Sequence, residues 1–171
     1  GLEIDRLYLA PLGLTRDDVL LIDMMPYFLA NVRGSKGRTM WDNLQEYQRL
    51  TGEQLDISPR PPPAALVRQA RTMPGNVDRI RHYLSAGKRR LLLTLGTEAA
   101  AFARNVSYGL VSRTVRDIFY APPVRLDVVG LSIDTIHLAH PGNLMVKTPS
   151  NLFWREAHTQ WCAQGIRCRV R

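Results

Sequence analysis

The stretch that decides the fold is R-R-L-L-L-T-L-G-T-E-A-A-A-F, residues 89–102. Its first half is a short, continuous apolar run, typical of a strand that lies buried on both faces of a parallel β-sheet. Its second half is rich in alanine and predicts a compact helix over 97–104, which Thr97 is expected to cap. The sequence therefore predicts a strand that leads through Gly96 directly into a helix.

Other segments extend this alternation of strands and helices. V-L-L-I-D (19–23) predicts a second buried strand, and it is followed by a Gly-rich basic loop at 31–38. Helices are expected at about 39–50, 63–73, 76–84 and 150–161, and β segments within 113–138, namely V-R-D-I-F-Y, R-L-D-V-V and S-I-D-T-I-H-L. We expect an α/β protein with one domain over residues 1–171, built as a three-layer α/β/α sandwich with a mainly parallel central sheet.

The composition narrows the class of protein. No apolar run reaches the roughly 18 residues of a membrane span, and G-L-E-I-D-R at the start shows no secretory signal. The two cysteines, Cys162 and Cys168, cannot form a Cys₄ zinc or iron–sulfur site, and they fit a reduced, cytoplasmic protein.

The charge is unevenly distributed along the chain. Residues 1–56 hold six Lys and Arg against nine Asp and Glu, whereas residues 57–171 hold 17 Lys and Arg against six Asp and Glu. A basic half of this kind suits binding to a phosphate polymer, although the base composition of the genome can also produce an excess of Arg.

The last predicted strand ends in H-L-A-H-P-G-N-L-M, residues 137–145. Ligands of open parallel sheets bind at the carboxyl ends of the strands, so Asp23, Gly96 and His140 are expected at one edge. His140 either delivers an imidazole to a pocket there or simply caps the end of the strand. His137 and His140 point to opposite faces of a strand, so they are a poor metal site, and the sequence implies no metal or cofactor.

The order of these segments resembles the uracil-DNA glycosylase superfamily. G-L-T-R-D-D-V-L-L-I-D-M-M-P-Y (13–27), R-P-P-P-A-A-L-V-R-Q-A-R, the 89–102 stretch and H-P-G-N-L-M (140–145) are similar to successive family motifs. Together they cover most of residues 13–160. The resemblance implies that the protein acts on DNA by hydrolysing the N-glycosidic bond of a base that it has flipped out of the helix.

Two features depart from the family pattern. The family's first motif, a Gly-rich loop with an acid or amide that positions the attacking water, does not precede the first helix in this sequence. Asp23 stands where the family usually has Asn. Because ionised Asp offers only acceptors, it suits a base edge with an amino group, and we expect a damaged or deaminated base other than uracil as the best substrate.

The resemblance also implies roles for individual residues, and each has a plain structural alternative. His140 would donate a hydrogen bond that stabilises the departing base. Asp23, Tyr27 and Phe28 would contact the base, unless Asp23 serves the turn at 24–25 and the two aromatic rings pack in the core.

The segment after His140 would hold the DNA strand. Gly142 would let the backbone approach a phosphate, and Asn143 and Lys147 would contact phosphates. Leu144 or Met145 would fill the gap left by the flipped base, unless both are core residues.

The leading hypothesis from the sequence is therefore a DNA glycosylase that needs no cofactor and has DNA as its partner. Its expected location is the cytoplasm, or the nucleoid in a bacterium. Two alternatives stay open. One is a catalytically inactive relative that binds DNA or a protein through the same cleft, and the other is an unrelated α/β enzyme that acts on a small molecule.

Overall fold

The computed structural model describes residues 2–30, 32, 34–55, 57–86 and 91–164. It begins with a helical segment in which α1 (Leu2–Ile4) continues through a π-helical turn (Asp5–Leu9) into α2 (Ala10–Leu12). The later helices are α3 (Gly34–Thr51), α4 (Pro63–Thr72), α5 (Asn76–Ser85), α6 (Thr97–Ala103), α7 (Tyr108–Arg113), α8 (Val115–Ile118), α9 (Pro141–Met145) and α10 (Leu152–Ala163). The strands are β1 (Phe28–Ala30), β2 (Ile57–Pro59), β3 (Leu91–Leu95), β4 (Val124–Val128) and β5 (Leu131–Leu138). The chain thus belongs to the α/β class, as expected.

The described strands form two small sheets. β1 and β2 pair in parallel, and β3, β5 and β4 form a second sheet in that order. β3 runs parallel to β5, whereas β4 is the antiparallel partner of β5 across a tight hairpin. The expected single, mainly parallel central sheet is therefore not confirmed. A hairpin fits here because Val129 and Gly130, with positive φ angles of 50° and 84°, form the left-handed turn that suits two antiparallel strands.

The centre of the fold is β5, whose residues from Thr135 to Leu138 are all buried. On one face of the sheet, Ile136 and Leu138 pack with Tyr8, Leu12 and Trp161, which come from the N-terminal helical segment and α10. On the opposite face, Ile133 packs with Ala103 of α6 and Val128 of β4. These contacts follow from the alternation of side chains along a strand, and they place helices on both faces of this sheet.

The core contains one buried histidine, His137, on the same face as Ile133. Its Nδ1 lies 2.7 Å from Oγ1 of Thr94 on β3, and its Nε2 lies 3.3 Å from Nη1 of Arg104. Because a guanidinium has no acceptor, Arg104 donates to Nε2, and the ring hydrogen on Nδ1 is left to donate to Thr94. The sheet therefore holds this ring as the neutral Nδ1–H tautomer, with both nitrogens engaged.

Two predicted strands are wrong. Residues 19–23 carry no ladder hydrogen bonds, and Leu20 and Leu21 are 41% and 50% exposed. An apolar run becomes a strand only where a partner strand lies beside it, and β2 pairs instead with Phe28–Ala30. V-R-D-I-F-Y begins as helix α8, because the N–H groups of Asp117 and Ile118 bond to the carbonyl of Thr114.

Two local predictions also need correction. The expected basic loop at 31–38 lies partly outside the described residues, and from Gly34 onward it belongs to α3. Two glycines lower the helix preference of this stretch but do not prevent a helix of 18 residues. Thr97 does not cap α6, since Gly96 occupies the N-cap position and Thr97 is the first helical residue.

The remaining helix predictions agree with the structure. α4, α5, α6 and α10 lie within a few residues of the ranges expected from their apolar spacing and their Pro and Gly boundaries. Among the described residues, none of the helices combines the length and the apolar content that crossing a bilayer requires.

Candidate active site

The carboxyl ends of strands from both sheets meet at one place. Arg60 directly follows β2, and its backbone N–H donates to the carbonyl of Ala30 at the end of β1 (2.8 Å). Its guanidinium Nη2 lies 2.9 Å from Oε1 of Glu98, in the first turn of α6. Since α6 begins where β3 ends, this ion pair links the end of the small sheet to the end of the larger one.

Gly96 brings the end of β3 close to His140. Its N–H donates to the carbonyl of Leu138 (2.8 Å), which continues the parallel pairing one residue beyond β3. Its φ and ψ of 93° and 164° lie in a region that is essentially restricted to glycine. A Cβ at this position would lie 3.4 Å from Cβ of His140. The strand-to-helix turn therefore depends on glycine, and it places His140 beside the start of α6.

His140 caps a helix through one ring nitrogen, and no hydrogen bond within the described part of the chain engages the other. It is the N-cap of α9, and its Nδ1 accepts a hydrogen bond from the N–H of Gly142 (3.1 Å). In the neutral ring the hydrogen must then be on Nε2, which makes Nε2 a donor. The two interpretations of this residue are compatible, because capping through Nδ1 fixes the tautomer that a donor role requires.

His140 is exposed at the surface, but its surroundings still favour the neutral imidazole. Burial lowers the pKa of His140 below its ordinary value, and the positive charge of Arg60 lowers it further, whereas the Glu98 carboxylate partly opposes them. A ring with a lowered pKa is uncharged near neutral pH. The site thus holds an imidazole N–H donor near the Arg60–Glu98 ion pair.

The residues after His140 divide into an inward and an outward group. Leu144 packs against the core cluster around Tyr8 and Trp161. Met145 and Val146, at 54% and 52% exposure, project from the surface, and Lys147 beside them is exposed. Gly142 and Asn143 are half-buried within α9. Of the two apolar side chains considered for a wedge, only Met145 is thus available to a ligand.

The three residues predicted to contact the base do not join His140 in the described contacts. Asp23 is exposed, precedes β1 by five residues, and accepts a hydrogen bond from Nη2 of Arg79 (2.7 Å) through its backbone carbonyl. Tyr27 accepts a hydrogen bond from Nε2 of Gln69 (2.7 Å) and packs against the cluster around Met25. The side chain of Phe28 lies outside the described part of the chain.

Asp23 lies away from the carboxyl end of a strand because the strand itself begins five residues later. The expected convergence of three strand ends therefore holds for Gly96 and His140 only. Within the described ranges, no group of three or more His, Cys, Asp or Glu side chains could hold a metal ion.

Sequence reasoning missed two residues of this site, Arg60 and Glu98. Arg60 follows β2, a strand that the sequence did not predict, and Glu98 lies in the first turn of the helix after β3, so no local signal identified either residue. Their pairing joins residues 38 positions apart, so only the packing of α6 beside the small sheet reveals it.

No protein-family model, no curated protein and no solved structure matches this chain. The resemblance to uracil-DNA glycosylases therefore rests on the sequence motifs alone.

Proposed function

We propose that this protein is a DNA-base glycosylase that hydrolyses the N-glycosidic bond of a damaged or deaminated base. The observation that supports this most is the state of His140. Its lowered pKa favours the neutral ring, its Nδ1 accepts the N–H of Gly142, and the hydrogen on Nε2 is then available as a donor where β3 and β5 end. The proposal includes a three-layer α/β/α arrangement and DNA as the partner, with a location in the cytoplasm or the bacterial nucleoid.

The chemistry needs a donor that acts on the leaving group. As the glycosidic bond breaks, negative charge develops on the base and positive charge on the sugar. A neutral imidazole N–H directed at a base carbonyl stabilises the developing anion and does not repel the positive sugar as strongly as an imidazolium would. His140 has the tautomer and the lowered pKa that this role requires.

The surface next to His140 suits a DNA strand. Met145 projects beside it and is unbranched, so it can enter the space that a flipped base leaves in the stack. Lys147 supplies an exposed positive charge two residues later. The excess of basic residues in 57–171 adds the general attraction for phosphates that such binding needs.

The choice of base stays a prediction. The carboxylate of Asp23 is exposed, and no described hydrogen bond engages it, so it is accessible to a ligand. If it reads the base, a substrate with an amino group or a protonated ring nitrogen is preferred over uracil.

The test is an excision assay on duplex and single-stranded oligonucleotides that carry uracil, hypoxanthine or an alkylated base, with alkaline cleavage of the abasic product. We expect excision of at least one base. His140→Ala should slow it by about 10²–10³-fold, as removal of an oxyanion donor does, while DNA affinity changes little. The matched control is His82→Ala, an exposed histidine on α5.

Three other results would point away from this proposal. No excision by the wild type, with salt-sensitive DNA binding, indicates an inactive DNA-binding relative. Neither excision nor DNA binding indicates an enzyme for a small molecule or a protein-binding domain. Excision that is equally fast in His140→Ala removes His140 from the mechanism.

A further inference from the structure

We propose that a cavity between α4 and the start of α7 binds a phosphate monoester with a small apolar or aromatic organic part. The cavity has a volume of about 270 Å³, just below the roughly 300–1,000 Å³ of pockets for drug-sized ligands, so it suits a small ligand. None of its lining residues belongs to the site around His140, which lies where β3 and β5 end. The inference therefore goes beyond the glycosylase function proposed above and does not depend on it.

One face of α4 provides the basic side of the cavity. Ala64, Arg68 and Arg71 follow one another at intervals of four and three residues, so they share a face of this helix. Leu66 and Ala70 are buried in a core cluster on another side, and their packing fixes the rotation of α4. The sequence of the helix therefore brings two guanidinium groups to the same cavity.

The two arginines are held differently. Nη2 of Arg71 donates to the backbone carbonyls of Ala101 (2.5 Å) and Val106 (2.9 Å), which fixes its guanidinium beside α6 and the turn after it. Its Nε is buried and has no hydrogen-bond partner within the described part of the chain. Arg68 is exposed, and no described ion pair or side-chain hydrogen bond engages its guanidinium. A ligand oxygen that accepts from the buried Nε–H would offset the loss of hydration there.

The positive charge of the cavity is not neutralised by an acid. None of the described residues that line it is acidic, and neither Arg68 nor Arg71 belongs to an ion pair in the described ranges. Burial lowers the pKa of the Arg71 guanidinium below its ordinary value, as expected for a cation that loses water without gaining an anion. Two guanidinium groups match a phosphate monoester, whose charge is about −1.5 to −2 near neutral pH, better than they match a singly charged carboxylate or phosphodiester.

The rest of the lining adds hydroxyl donors and an apolar wall. Ser107 accepts the N–H of Leu110 at its Oγ (3.3 Å), so its hydroxyl hydrogen is left to donate to a ligand. Tyr108 adds a second hydroxyl and an aromatic ring, and Ala64 and Val67 supply apolar surface. A phosphate has acceptor oxygens for these donors and for the guanidinium groups, and the apolar wall suits an organic group attached to it.

The alternative is a purely structural role for Arg71, because its hydrogen bonds tie α4 to α6 and the turn after it. Arg68 separates the two roles, since it is exposed and makes no such bonds. Arg68→Gln removes a charge from the cavity and leaves the described contacts of the fold in place. Arg113→Gln is the matched control, because it removes the same charge from an exposed arginine of α7 that does not line the cavity.

The experiment titrates each protein with phenyl phosphate, inorganic phosphate and phenol by calorimetry, and records thermal unfolding of each variant. For the wild type we expect phenyl phosphate to bind with a Kd below about 1 mM, inorganic phosphate to bind more weakly and phenol not to bind. Arg68→Gln should weaken the binding of phenyl phosphate by about 10–100-fold and leave thermal unfolding unchanged. Arg113→Gln should change the affinity by less than about twofold. The affinity of the wild type should fall below about pH 6, because the ligand then loses its second negative charge.

A phosphate monoester also occurs at the phosphorylated end of a nucleic acid strand, so a short oligonucleotide with and without a terminal phosphate identifies the source. Tighter binding of the phosphorylated strand, by a margin that Arg68→Gln removes, supports the proposal and assigns the monoester to a strand end. Equal binding of the two strands, together with binding of phenyl phosphate, supports the proposal and assigns the monoester to a small molecule.

Three results would overturn the proposal. Phenyl phosphate fails to bind, phenol binds as tightly as phenyl phosphate, or Arg68→Gln binds phenyl phosphate as tightly as the wild type. If the wild type excises no base, the proposed glycosylase function fails and this inference stands, because the two sites share no residue.

Discussion

The buried histidine of the core predicts how stability responds to acid. Burial, together with the smaller effect of the positive charge of Arg104, lowers the pKa of His137 from 6.5 to about 4. The ring is 1% exposed, so its protonated form would be an unsolvated cation beside a guanidinium. The informative perturbation is His137→Gln, which removes the titrating group from this position.

The sign and size of the change in unfolding free energy follow from proton binding. Between pH 6.5 and 4 the unfolded chain protonates this histidine while the folded protein does not, so acidification stabilises the unfolded state. The difference between 6.5 and about 4, at about 1.4 kcal/mol per pKa unit, corresponds to about 3 kcal/mol. The folded protein should therefore lose about 3 kcal/mol of unfolding free energy through His137 over this range and little more below pH 4.

The assay is urea unfolding of the wild type and His137→Gln at several pH values from 7 to 4. The variant loses hydrogen bonds to Thr94 and Arg104, so we expect it to be less stable at pH 7 by about 1–3 kcal/mol. As the pH falls to 4, the wild type should lose about 3 kcal/mol more than the variant, so the difference in stability should close or reverse in sign. Asp18 and Glu46 also change the stability of the protein in acid, because hydrogen bonds lower their pKa values. We therefore compare the wild type with the variant, since the difference between them reports on His137.

The control is His82→Gln, which changes an exposed histidine and should leave the pH dependence as in the wild type. Parallel curves for the wild type and His137→Gln would refute the reasoning. If His137→Gln does not fold, an NMR titration of the wild type tests the same point. A ring that titrates near its ordinary pKa would show that burial does not keep it neutral.

Two further predictions concern the residues that shape the site and the core. Gly96→Ala should lower the free energy of unfolding by about 1–3 kcal/mol, because alanine is strained at a φ of 93°. Gly109→Ala should be neutral or stabilising in the same unfolding assay, since a Cβ there meets no atom within 4 Å, and equal effects of the two substitutions would contradict the strain argument. Leu138→Ala, at a fully buried position of β5, should cost about 2–5 kcal/mol by urea unfolding. A loss below about 1 kcal/mol would show that β5 is not the centre of the core.

Helices were the part of the fold that local sequence predicted well. The spacing of apolar residues, with Pro63 at one start and Pro74–Gly75 at a break, was enough to locate α4 and α5. A helix forms its hydrogen bonds within one segment, so the sequence of that segment predicts where the helix begins and ends. Strand β3 was also correct, because five consecutive residues of an apolar run pair with β5.

The failed strand predictions share one cause. V-L-L-I-D has the composition of a buried strand, yet residues 28–30, which have no stronger pattern, lie beside β2. A strand completes its hydrogen bonds only with a partner that is distant in sequence, so composition alone does not decide which segment pairs. The same limit explains why the sequence did not predict that β4 would run antiparallel to β5.

The sequence by itself determined the α/β class, most of the helices, and the placement of His140 immediately after a buried strand. Local periodicity and the order Leu-Ala-His-Pro-Gly are sufficient for those conclusions. Only the tertiary structure decided that Arg60 and Glu98 stand beside that histidine and that Leu144 faces the core while Met145 faces outward. It also gave the tautomer of His140, through a bond from the Gly142 N–H. The physical reason is that charges and hydrogen bonds act over a few ångströms in space, and folding alone brings residues 60, 98 and 140 within that range.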